Sequence, residues 1–505
     1  MVVIARLTLD PAFRTGTVDK RLFGSFAEHM GRCVYTGVFE PGHPTADDRG
    51  FRGDVLELVR ELGTTVVRYP GGNFVSAYRW EDGVGPLDLR PRRLDLAWRS
   101  LEPNAFGVDE FVGWCEAAGV EPMMAVNLGT RGVQAAVDLL EYCNHPEGTS
   151  LSDQRRANGV KEPHDIRIWC LGNELDGPWQ IGHKTADEYG RLAAETARAL
   201  RRTDPRVELI ACGSSNTRLP TFAAWEATVL EHCFDDVDHI SLHHYADPES
   251  QSAADFLASG LSLDRAIDAV VATADSVAAR RHSRRRIGVA VDEWNVWYQS
   301  RFHGESSLEW ADAPRLIEDT YDAADAAAVG GLLMSLLRHA DRVSIACQAQ
   351  LVNVIAPIRT EPGGDAWRQT IFHPMALVAG LAGGEVLRVE PTGPVLASDT
   401  LGDVPMLDAV AIMGTDDGVA LLTLNRSPDQ TLDLEADLRA FPRHRVVRAI
   451  TLAGPGHPYA DAPGPIPLTT VEHRDGRLTA RLAPASFSLV RLVPDGPPPT
   501  MSEED

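Results

Sequence analysis

The sequence predicts a (β/α)8 TIM barrel joined to a C-terminal β-sandwich domain, and two patterns support this fold class. Over residues 21–337, eight short apolar runs alternate with segments that have the spacing of amphipathic helices. After about residue 384, helical spacing gives way to short stretches of alternating apolar and polar residues between Gly, Pro and Asp turns. Such alternation is typical of antiparallel sandwiches.

We interpret the eight apolar runs as the barrel strands. They are residues 21–26, 64–72, 121–129, 166–174, 207–215, 239–245, 287–295 and 331–337. An open doubly wound sheet is the structural alternative, because it has the same alternation of strands and helices. No Gly-x-Gly-x-x-Gly segment and no P-loop pattern follows any of these runs, which argues against the nucleotide-binding open sheets.

The change of pattern divides the chain into three predicted parts. Residues 18–384 form the barrel domain, and residues 385–495 form the sandwich. The sandwich also takes in residues 1–17, because the strand-like stretch "VVIARLTLD" precedes the barrel and can pair with a strand of the sandwich. Residues 496–505 are rich in Pro and then acidic, which predicts a disordered tail.

Charge and cysteine content exclude several classes of partner. A net charge of -24 over 505 residues would repel nucleic acid and anionic lipid surfaces, so we predict neither a nucleic-acid nor a membrane partner. The dense basic run at residues 280–286 precedes an apolar strand and is interpreted as a solvated turn.

The seven cysteines are scattered and form no Cys-x-x-Cys pair, which indicates neither a disulfide framework nor a zinc site. The N-terminus lacks a signal-peptide pattern, so a cytoplasmic location is expected.

Two of the predicted strands deliver a carboxylate into a polar segment. "IRIWCLGNE" ends at Glu174, and "IGVAVDEWN" carries Glu293. Either acid alone could be a loop residue or a helix cap. Counting the runs places them on the fourth and seventh strands, facing each other where the C-terminal strand ends meet. Two facing carboxylic acids can cleave a glycosidic bond, since one protonates the leaving oxygen and the other meets the positive charge at the sugar carbon.

Several longer motifs resemble those of a known enzyme family. They are "GSFAEHMGRCVYTGVFEP", "VVRYPGGNFVSAYRWEDGVGP", "WRSLEPNAFG", "IWCLGNELDGPWQIGHK", "SLHHY", "VDEWNVWY" and "AQLVNVIAPI". They run through most of the chain and resemble the retaining α-L-arabinofuranosidases of glycoside hydrolase family 51. The resemblance implies a barrel with a sandwich that includes the N-terminus, in agreement with the pattern above. It also implies a homo-oligomer, often a hexamer.

The resemblance further implies roles for individual residues. Glu174 matches the general acid/base, and Glu293 matches the nucleophile. Residues that match positions around the arabinofuranosyl ring, or aromatic positions lining the site, are Glu28, Arg68, Asn73, Trp98, Asn173, Tyr245, Trp297 and Gln350. His244 is included as a substrate-binding residue because it stands in the same "HHY" segment.

Read without the resemblance, several of these residues have plainer interpretations. Arg68 beside an acid could form only a buried ion pair, although a nearby cation also favours an ionised nucleophile. Asn73 would be a turn residue, and Gln350 would lie on a helix surface. His243 and His244 suggest a metal pair, but adjacent strand residues point to opposite faces, so we predict no metal site.

The predicted function is that of a retaining, exo-acting glycosidase that needs no cofactor. It would release terminal α-L-arabinofuranosyl residues from arabinose-containing oligosaccharides, such as arabinan or arabinoxylan fragments, by double displacement. Two alternatives remain open. The first is a retaining glycosidase of the same barrel type that cuts xylose or glucose linkages, which two glutamates alone do not exclude. The second is a carbohydrate-binding protein without catalysis, against which the presence of both glutamates argues.

Overall fold

The computed structural model describes residues 3–452 and 460–495, and the larger part of the chain forms a closed barrel. The strands up to residue 368 are β1 (Ile4–Thr8), β2 (Arg14–Thr17), β3 (Gly24–Phe26), β4 (Val66–Tyr69), β5 (Arg93–Leu94), β6 (Leu101–Glu102), β7 (Glu121–Ala125), β8 (Ile168–Leu171), β9 (Glu208–Ala211), β10 (His239–Ala246), β11 (Gly288–Val296), β12 (Val343–Ala349), β13 (Ile358–Thr360) and β14 (Ala366–Arg368). Strands β3, β4 and β7 to β12 pair in parallel in chain order, and β12 closes the barrel against β3. The predicted barrel is confirmed.

Helices alternate with these strands. They are α1 (Gly53–Leu62), α2 (Val108–Ala118), α3 (Val133–Asn144), α4 (Ser150–Ala157), α5 (Ala186–Thr203), α6 (Ala224–Cys233), α7 (Ala253–Leu257), α8 (Ser259–Arg280), α9 (Ala323–Arg338) and α10 (Phe372–Val378), with short 3-10 helices at Lys20–Phe23, Asn73–Ser76, Trp80–Gly83, Leu87–Leu89, Gln299–Arg301, Glu305–Ser307 and Ala379–Leu381. The sequence accounts for α5 most directly. Thr185 and Glu188 form a capping box at its start, and Ala193, Ala197 and Leu200 form its buried stripe.

The C-terminal region is the predicted β-sandwich. Its strands are β15 (Glu385–Leu387), β16 (Val395–Ser398), β17 (Gly402–Pro405), β18 (Leu407–Met413), β19 (Val419–Asn425), β20 (Leu432–Asp437), β21 (His444–Thr451), β22 (Ile466–Pro467), β23 (Glu472–Arg474), β24 (Arg477–Leu482) and β25 (Ser486–Pro494). The N-terminus contributes two strands, since β1 pairs with β20 in one sheet and β2 pairs with β15 in the other. The domain boundaries after residues 17 and 384 remain our proposal. The predicted disorder of residues 496–505 lies outside the described residues.

The eighth barrel strand lies later in the chain than the sequence pattern predicted. Residues 331–337 form the second half of α9, and the strand is β12. Helix α9 packs against α8 on one side and against β18, β19 and β25 of the sandwich on another. A Cβ atom on Gly330 would lie 2.3 Å from Cδ2 of Phe487, which shows how close this approach is. A helix buried on several sides is apolar all round, so its sequence cannot be told from that of a buried strand by periodicity.

Three further features relate to predictions made from the composition. Within the described ranges, no helix is long and apolar enough to cross a membrane. The seven cysteines are unpaired and buried. The basic run that begins at Arg280 starts in the last turn of α8 and continues through the connection to β11, where Arg285 pairs with Asp238.

Candidate active site

The turn after β8 brings Glu174 to the mouth of the barrel. Strand β8 ends at Leu171, and both Gly172 (φ 98°) and Glu174 (φ 45°) have left-handed backbone conformations. Residues other than glycine rarely adopt this conformation, and it costs about 1–3 kcal/mol. The indole of Trp179 donates a hydrogen bond to Oε2 of Glu174 over 2.7 Å. The strand therefore ends on a carboxylate because a strained turn presents that carboxylate to the cavity above the barrel.

A β-bulge in β11 turns two consecutive acids toward the same cluster. Between Ala290 and Glu293, β11 has one residue more than the facing part of β10. Regular alternation would place Asp292 and Glu293 on opposite faces, yet both are buried and both lie beside His243 of β10. Nδ1 of His243 lies 2.8 Å from Oε1 of Glu174 and 3.4 Å from Oε2 of Glu293. Its Nε2 lies 3.1 Å from Oδ1 of Asp292.

Arg68 on β4 is fully buried and joins three groups. Its Nη1 donates to Oε1 of Glu293 over 2.7 Å, and its Nη2 donates to Oδ1 of Asn173 over 2.8 Å. Its Nε lies 3.1 Å from Oδ2 of Asp292. The second oxygen of Glu293 accepts a hydrogen bond of 2.9 Å from the hydroxyl of Tyr245. Both oxygens of Glu293 are thus held, one by a cation and one by a hydroxyl.

A third carboxyl, that of Glu28, belongs to the same site. Its Oε1 accepts from the backbone N–H of Phe74 (3.0 Å) and from the indole of Trp98 (2.8 Å). Its Oε2 accepts from the amide of Gln350 over 3.1 Å. A Cβ atom on Gly71 would lie 2.2 Å from Cγ of Glu28, which explains a glycine in the "YPGG" turn. Burial outweighs these hydrogen bonds and raises the pKa of Glu28 to about 8, so a protonated carboxyl faces the site at neutral pH.

These groups surround one cavity of about 260 Å³ at the C-terminal ends of the barrel strands. The predicted site residues that line it are Glu28, Asn73, Trp98, Glu174, Tyr245, Glu293, Trp297 and Gln350. Arg68 and Asn173 are buried against the cluster and contact each other. Nδ2 of Asn173 makes no hydrogen bond with any residue that the structure describes, so it can donate to a ligand.

The charges of the cluster shift its proton affinities. Burial raises the pKa of Glu174, while the hydrogen bond from His243 opposes that rise and the charge of Glu293 adds to it. Burial alone would lower the pKa of His243, but the carboxylates of Glu293 and Asp292 outweigh burial and raise it well above its usual range. Burial would raise the pKa of Asp292, yet Arg68 and His243 hold it below its usual range. The surroundings therefore favour the ionised form of Asp292 and the protonated forms of His243 and Glu174.

The same cluster has a spacing that a metal site could have. One ligand atom each from Glu174, His243 and Glu293 lie within 4.8 Å of one another. However, the imidazole contacts Glu174 at hydrogen-bond distance, and a protonated imidazole has no lone pair for a metal. We interpret the cluster as a set of hydrogen-bonded acids and bases, and the absence of a metal stays a prediction.

The structure separates His244 from the other predicted residues. Its neighbours His243 and Tyr245 contact Glu293, whereas His244 points to the other side of β10 and lines an adjoining cavity with Arg218. The strand alternation that argued against a histidine pair also places His244 outside the cavity between the glutamates. His244 does not line the cavity between the glutamates, and its role as a substrate-binding residue stays a prediction.

Two residues of the cluster received no role from the sequence. They are His243 and Asp292, which contact the two glutamates and Arg68. Both residues stand in motifs that contain predicted site residues, "HHY" and "VDEWN", so their position in the chain pointed to the site. The missing information was the bulge in β11, because strict alternation would have pointed Asp292 away from Glu293.

Models of known families match most of the chain. The α-L-arabinofuranosidase 1 domain matches residues 58–260, and the α-L-arabinofuranosidase C-terminal domain matches residues 292–486. The second model starts within β11, so its limit does not coincide with the end of the barrel. Glu174 falls within the first model and Glu293 within the second, whereas Glu28 precedes both.

Proteins similar to this chain are also named arabinofuranosidases. An intracellular exo-α-(1→5)-L-arabinofuranosidase of Streptomyces lividans is 55% identical over 98% of this chain and 76% of its own. An exo-α-(1→6)-L-arabinofuranosidase of Bifidobacterium longum is 53% identical over 86% of this chain and 85% of its own. The solved structure of a family 51 α-L-arabinofuranosidase from Bifidobacterium longum has a TM-score of 0.92 and 43% identity, covering 97% of this chain and 100% of that one. This chain therefore belongs to the α-L-arabinofuranosidases of glycoside hydrolase family 51.

Proposed function

We propose that the protein acts by double displacement, with Glu293 as the nucleophile and Glu174 as the general acid/base. In the first step, an oxygen of Glu293 bonds to the anomeric carbon while the bond to the leaving oxygen breaks, and Glu174 protonates that oxygen. In the second step, Glu174 accepts a proton from water, and the water oxygen replaces Glu293 at the anomeric carbon. Two inversions at one carbon retain the α configuration of the substrate.

The spacing of the two carboxyl groups is the observation that carries this proposal. One oxygen of Glu174 and one of Glu293 lie within 4.8 Å of each other. Carboxyl groups of retaining glycosidases are about 5–5.5 Å apart, whereas inverting enzymes separate them by about 6.5–9.5 Å to admit a water. The short spacing therefore favours a covalent glycosyl-enzyme.

The surroundings of the two carboxyls suit different roles. Arg68 and Tyr245 donate to both oxygens of Glu293, which stabilises and orients an ionised nucleophile. Burial raises the pKa of Glu174, which keeps a proton available for the leaving oxygen. His243 is a positioning residue in this mechanism, because it holds the carboxyl of Glu174 and lies beside that of Glu293.

We infer that the substrate is the terminal α-L-arabinofuranosyl unit of an arabinose-containing oligosaccharide. A cavity of about 260 Å³ with Glu28, Trp98 and Gln350 in its lining suits one sugar ring better than a longer chain. Similar proteins are named for (1→5) and (1→6) linkages at nearly equal identity, so the proposed class covers both. Since one of them is named intracellular, we propose that short arabinan or arabinoxylan fragments are cleaved in the cytoplasm. The homo-oligomer stays a prediction.

The configuration of the first product tests the mechanism. Proton NMR of the hydrolysis of para-nitrophenyl α-L-arabinofuranoside, recorded before mutarotation, should show α-arabinofuranose as the first sugar released. Appearance of the β anomer first would mean a single displacement and would overturn the proposal. The sugar specificity is tested by the corresponding β-xylopyranoside, which should be hydrolysed with a much lower kcat/KM.

A further inference from the structure

We propose that Asp95 is a positioning residue of the arabinofuranosyl site, which holds the indole of Trp98 against the carboxyl of Glu28. Asp95 does not line the cavity between the glutamates, so it acts through Trp98 and not on the sugar itself. The proposal rests on the function proposed above and adds a residue to the same site.

Three hydrogen bonds link the carboxylate of Asp95 to the turn that carries Trp98. Its Oδ1 accepts from the backbone N–H of Ala97 over 2.9 Å. Its Oδ2 accepts from the backbone N–H of Trp98 and from the hydroxyl of Ser100, each over 3.1 Å. The indole of Trp98 in turn donates to Oε1 of Glu28 over 2.8 Å. One carboxylate therefore fixes the backbone of the residue whose side chain holds a second carboxyl.

The hairpin that bears this turn is short. Strands β5 and β6 pair through two residues each, and a two-stranded hairpin is marginally stable on its own. Residues 95–100, here named the Trp98 turn, join the two strands. Arg99 in this turn has a left-handed backbone (φ 51°), which residues other than glycine rarely adopt. The bond from the N–H of Leu101 to the carbonyl of Ala311 ties down the chain only after Trp98. The backbone of the hairpin alone is therefore a weak support for the indole.

Open space lies behind the Trp98 turn. A cavity of about 210 Å³ has Leu94, Asp95 and Leu96 of the hairpin in its lining, together with Phe74 and Tyr78. Leu94 and Leu96 are also more than half exposed to solvent. Protein interiors are normally close-packed, and packing then fixes the position of a side chain. Because packing behind this turn is incomplete, the hydrogen bonds to Asp95 take over that task.

The surroundings of Asp95 strengthen these hydrogen bonds. Asp95 is 4% exposed, and the groups that donate to it are two backbone N–H groups and one hydroxyl. Burial raises the pKa of Asp95 to about 6 against the effect of these donors, so the carboxylate is ionised at neutral pH. Hydrogen bonds to an ionised acceptor are stronger than those between neutral groups. Removal of this carboxylate is therefore expected to release the Trp98 turn.

A double-mutant cycle with para-nitrophenyl α-L-arabinofuranoside tests this proposal. For Asp95→Ala, we expect kcat/KM to fall about tenfold, because the indole no longer holds Glu28. In a Trp98→Ala background the same substitution should change kcat/KM by about twofold at most, because there is no indole left to position. Asp95→Asn keeps one carbonyl oxygen that can accept from the N–H of Trp98, so its loss should be only about threefold.

Asp82→Ala is the matched control for Asp95→Ala. Asp82 lines the same cavity behind the turn and pairs over 2.8 Å with Arg93 of β5, which lies outside the Trp98 turn. Its replacement should leave kcat/KM within about twofold of the wild-type value.

Two kinetic results would overturn the proposal. The first is a loss by the same factor with and without Trp98, because a general weakening of the structure would act in both backgrounds. The second is a wild-type kcat/KM for Asp95→Ala. If the wild-type protein does not hydrolyse the arabinofuranoside, the function proposed above fails, which is a different result.

Crystal structures of the variants give a test that does not depend on rates. In Asp95→Ala we expect the indole nitrogen of Trp98 beyond hydrogen-bond distance of Glu28, and in Asp95→Asn within it. An indole still bonded to Glu28 in Asp95→Ala would contradict the proposal. If Asp95→Ala does not fold, the cycle is measured with Asp95→Asn, whose loss must disappear in the Trp98→Ala background; an equal loss in both backgrounds again overturns the proposal.

Discussion

The two glutamates stand on two sides of one cleft, and those sides are built differently. Glu293 lies within β11, is 5% exposed, and has both oxygens held by Arg68 and Tyr245. Glu174 lies beyond the end of β8, in a turn with a left-handed backbone, and contacts His243. Its side chain is more exposed than that of Glu293.

The difference follows from what each group would do in the proposed reaction. A nucleophile needs a fixed position and a stabilised charge, and a strand interior next to a buried arginine provides both. An acid/base has to exchange protons with a leaving group and then with water, so it needs contact with open space. Replacement of Glu293 is therefore expected to abolish activity on every substrate. The loss of activity on replacement of Glu174 is expected to depend on the leaving group of the substrate.

Replacement of Glu293 should have the largest effect. Glu293→Ala is expected to lower kcat/KM on the order of 10⁴-fold or more, for aryl and oligosaccharide substrates alike, because no other group can form the bond. Steady-state kinetics on both substrates measure the loss. Glu195→Ala, which removes an exposed carboxylate of α5, is the control and should be fully active. A loss confined to the oligosaccharide would contradict the nucleophile assignment.

Replacement of Glu174 should depend on the leaving group. Glu174→Ala is expected to lower kcat/KM for arabino-oligosaccharides about 10²- to 10⁴-fold, since their leaving oxygen needs the proton. Aryl glycosides with good leaving groups should keep a fast first step, seen as a burst of nitrophenol followed by slow turnover. Equal losses in the first step for good and poor leaving groups would contradict the acid role.

Smaller effects on kcat/KM are expected from two substitutions that each remove one hydrogen bond to a glutamate. Tyr245→Phe removes a hydrogen bond to Glu293 that is worth about 1.5–3 kcal/mol, so kcat/KM should fall roughly 10- to 100-fold. Trp179→Phe removes the bond to Glu174 and should cost less, because Trp179 is 42% exposed. If Trp179→Phe lowers kcat/KM more than Tyr245→Phe, the comparison between the two sides is wrong.

The smallest expected effect is a shift of the pH profile. The hydrogen bond and the charge of His243 lower the pKa of Glu174 against the effect of burial. In His243→Gln the charge is lost, so Glu174 should keep its proton to higher pH. The alkaline limb of kcat/KM for an oligosaccharide should therefore move to higher pH, as measured by initial rates across the pH range. A limb that moves to lower pH would show that His243 does not act through Glu174.

Much of the fold could be predicted because its signals are local. Buried strands of a parallel barrel are short apolar runs between amphipathic helices, and seven of the eight predicted runs contain a barrel strand. The run at 331–337 failed because α9 is buried between barrel and sandwich, which removes its polar face. The error also affected Gln350, which follows the true eighth strand directly instead of lying on a helix surface.

The site was predictable where a motif stands at a strand end, and less so where geometry is irregular. Glu174 and Glu293 could be placed because strand order alone brings them to the same mouth. The contacts of Asp292 and His243 depend on a bulge, and a one-residue insertion in a strand leaves no clear mark in the sequence.

Rescue by azide tests the central claim, that the two glutamates have separate roles, most directly. Azide needs no deprotonation, so it can replace water in Glu174→Ala and attack the glycosyl-enzyme on Glu293, giving α-arabinofuranosyl azide after two inversions. In Glu293→Ala azide can act only as the first nucleophile and should give the β azide by a single inversion. NMR of the two products from an aryl α-L-arabinofuranoside distinguishes them. An α azide from Glu174→Ala and a β azide from Glu293→Ala are the results expected here, and a β azide from Glu174→Ala would contradict the account.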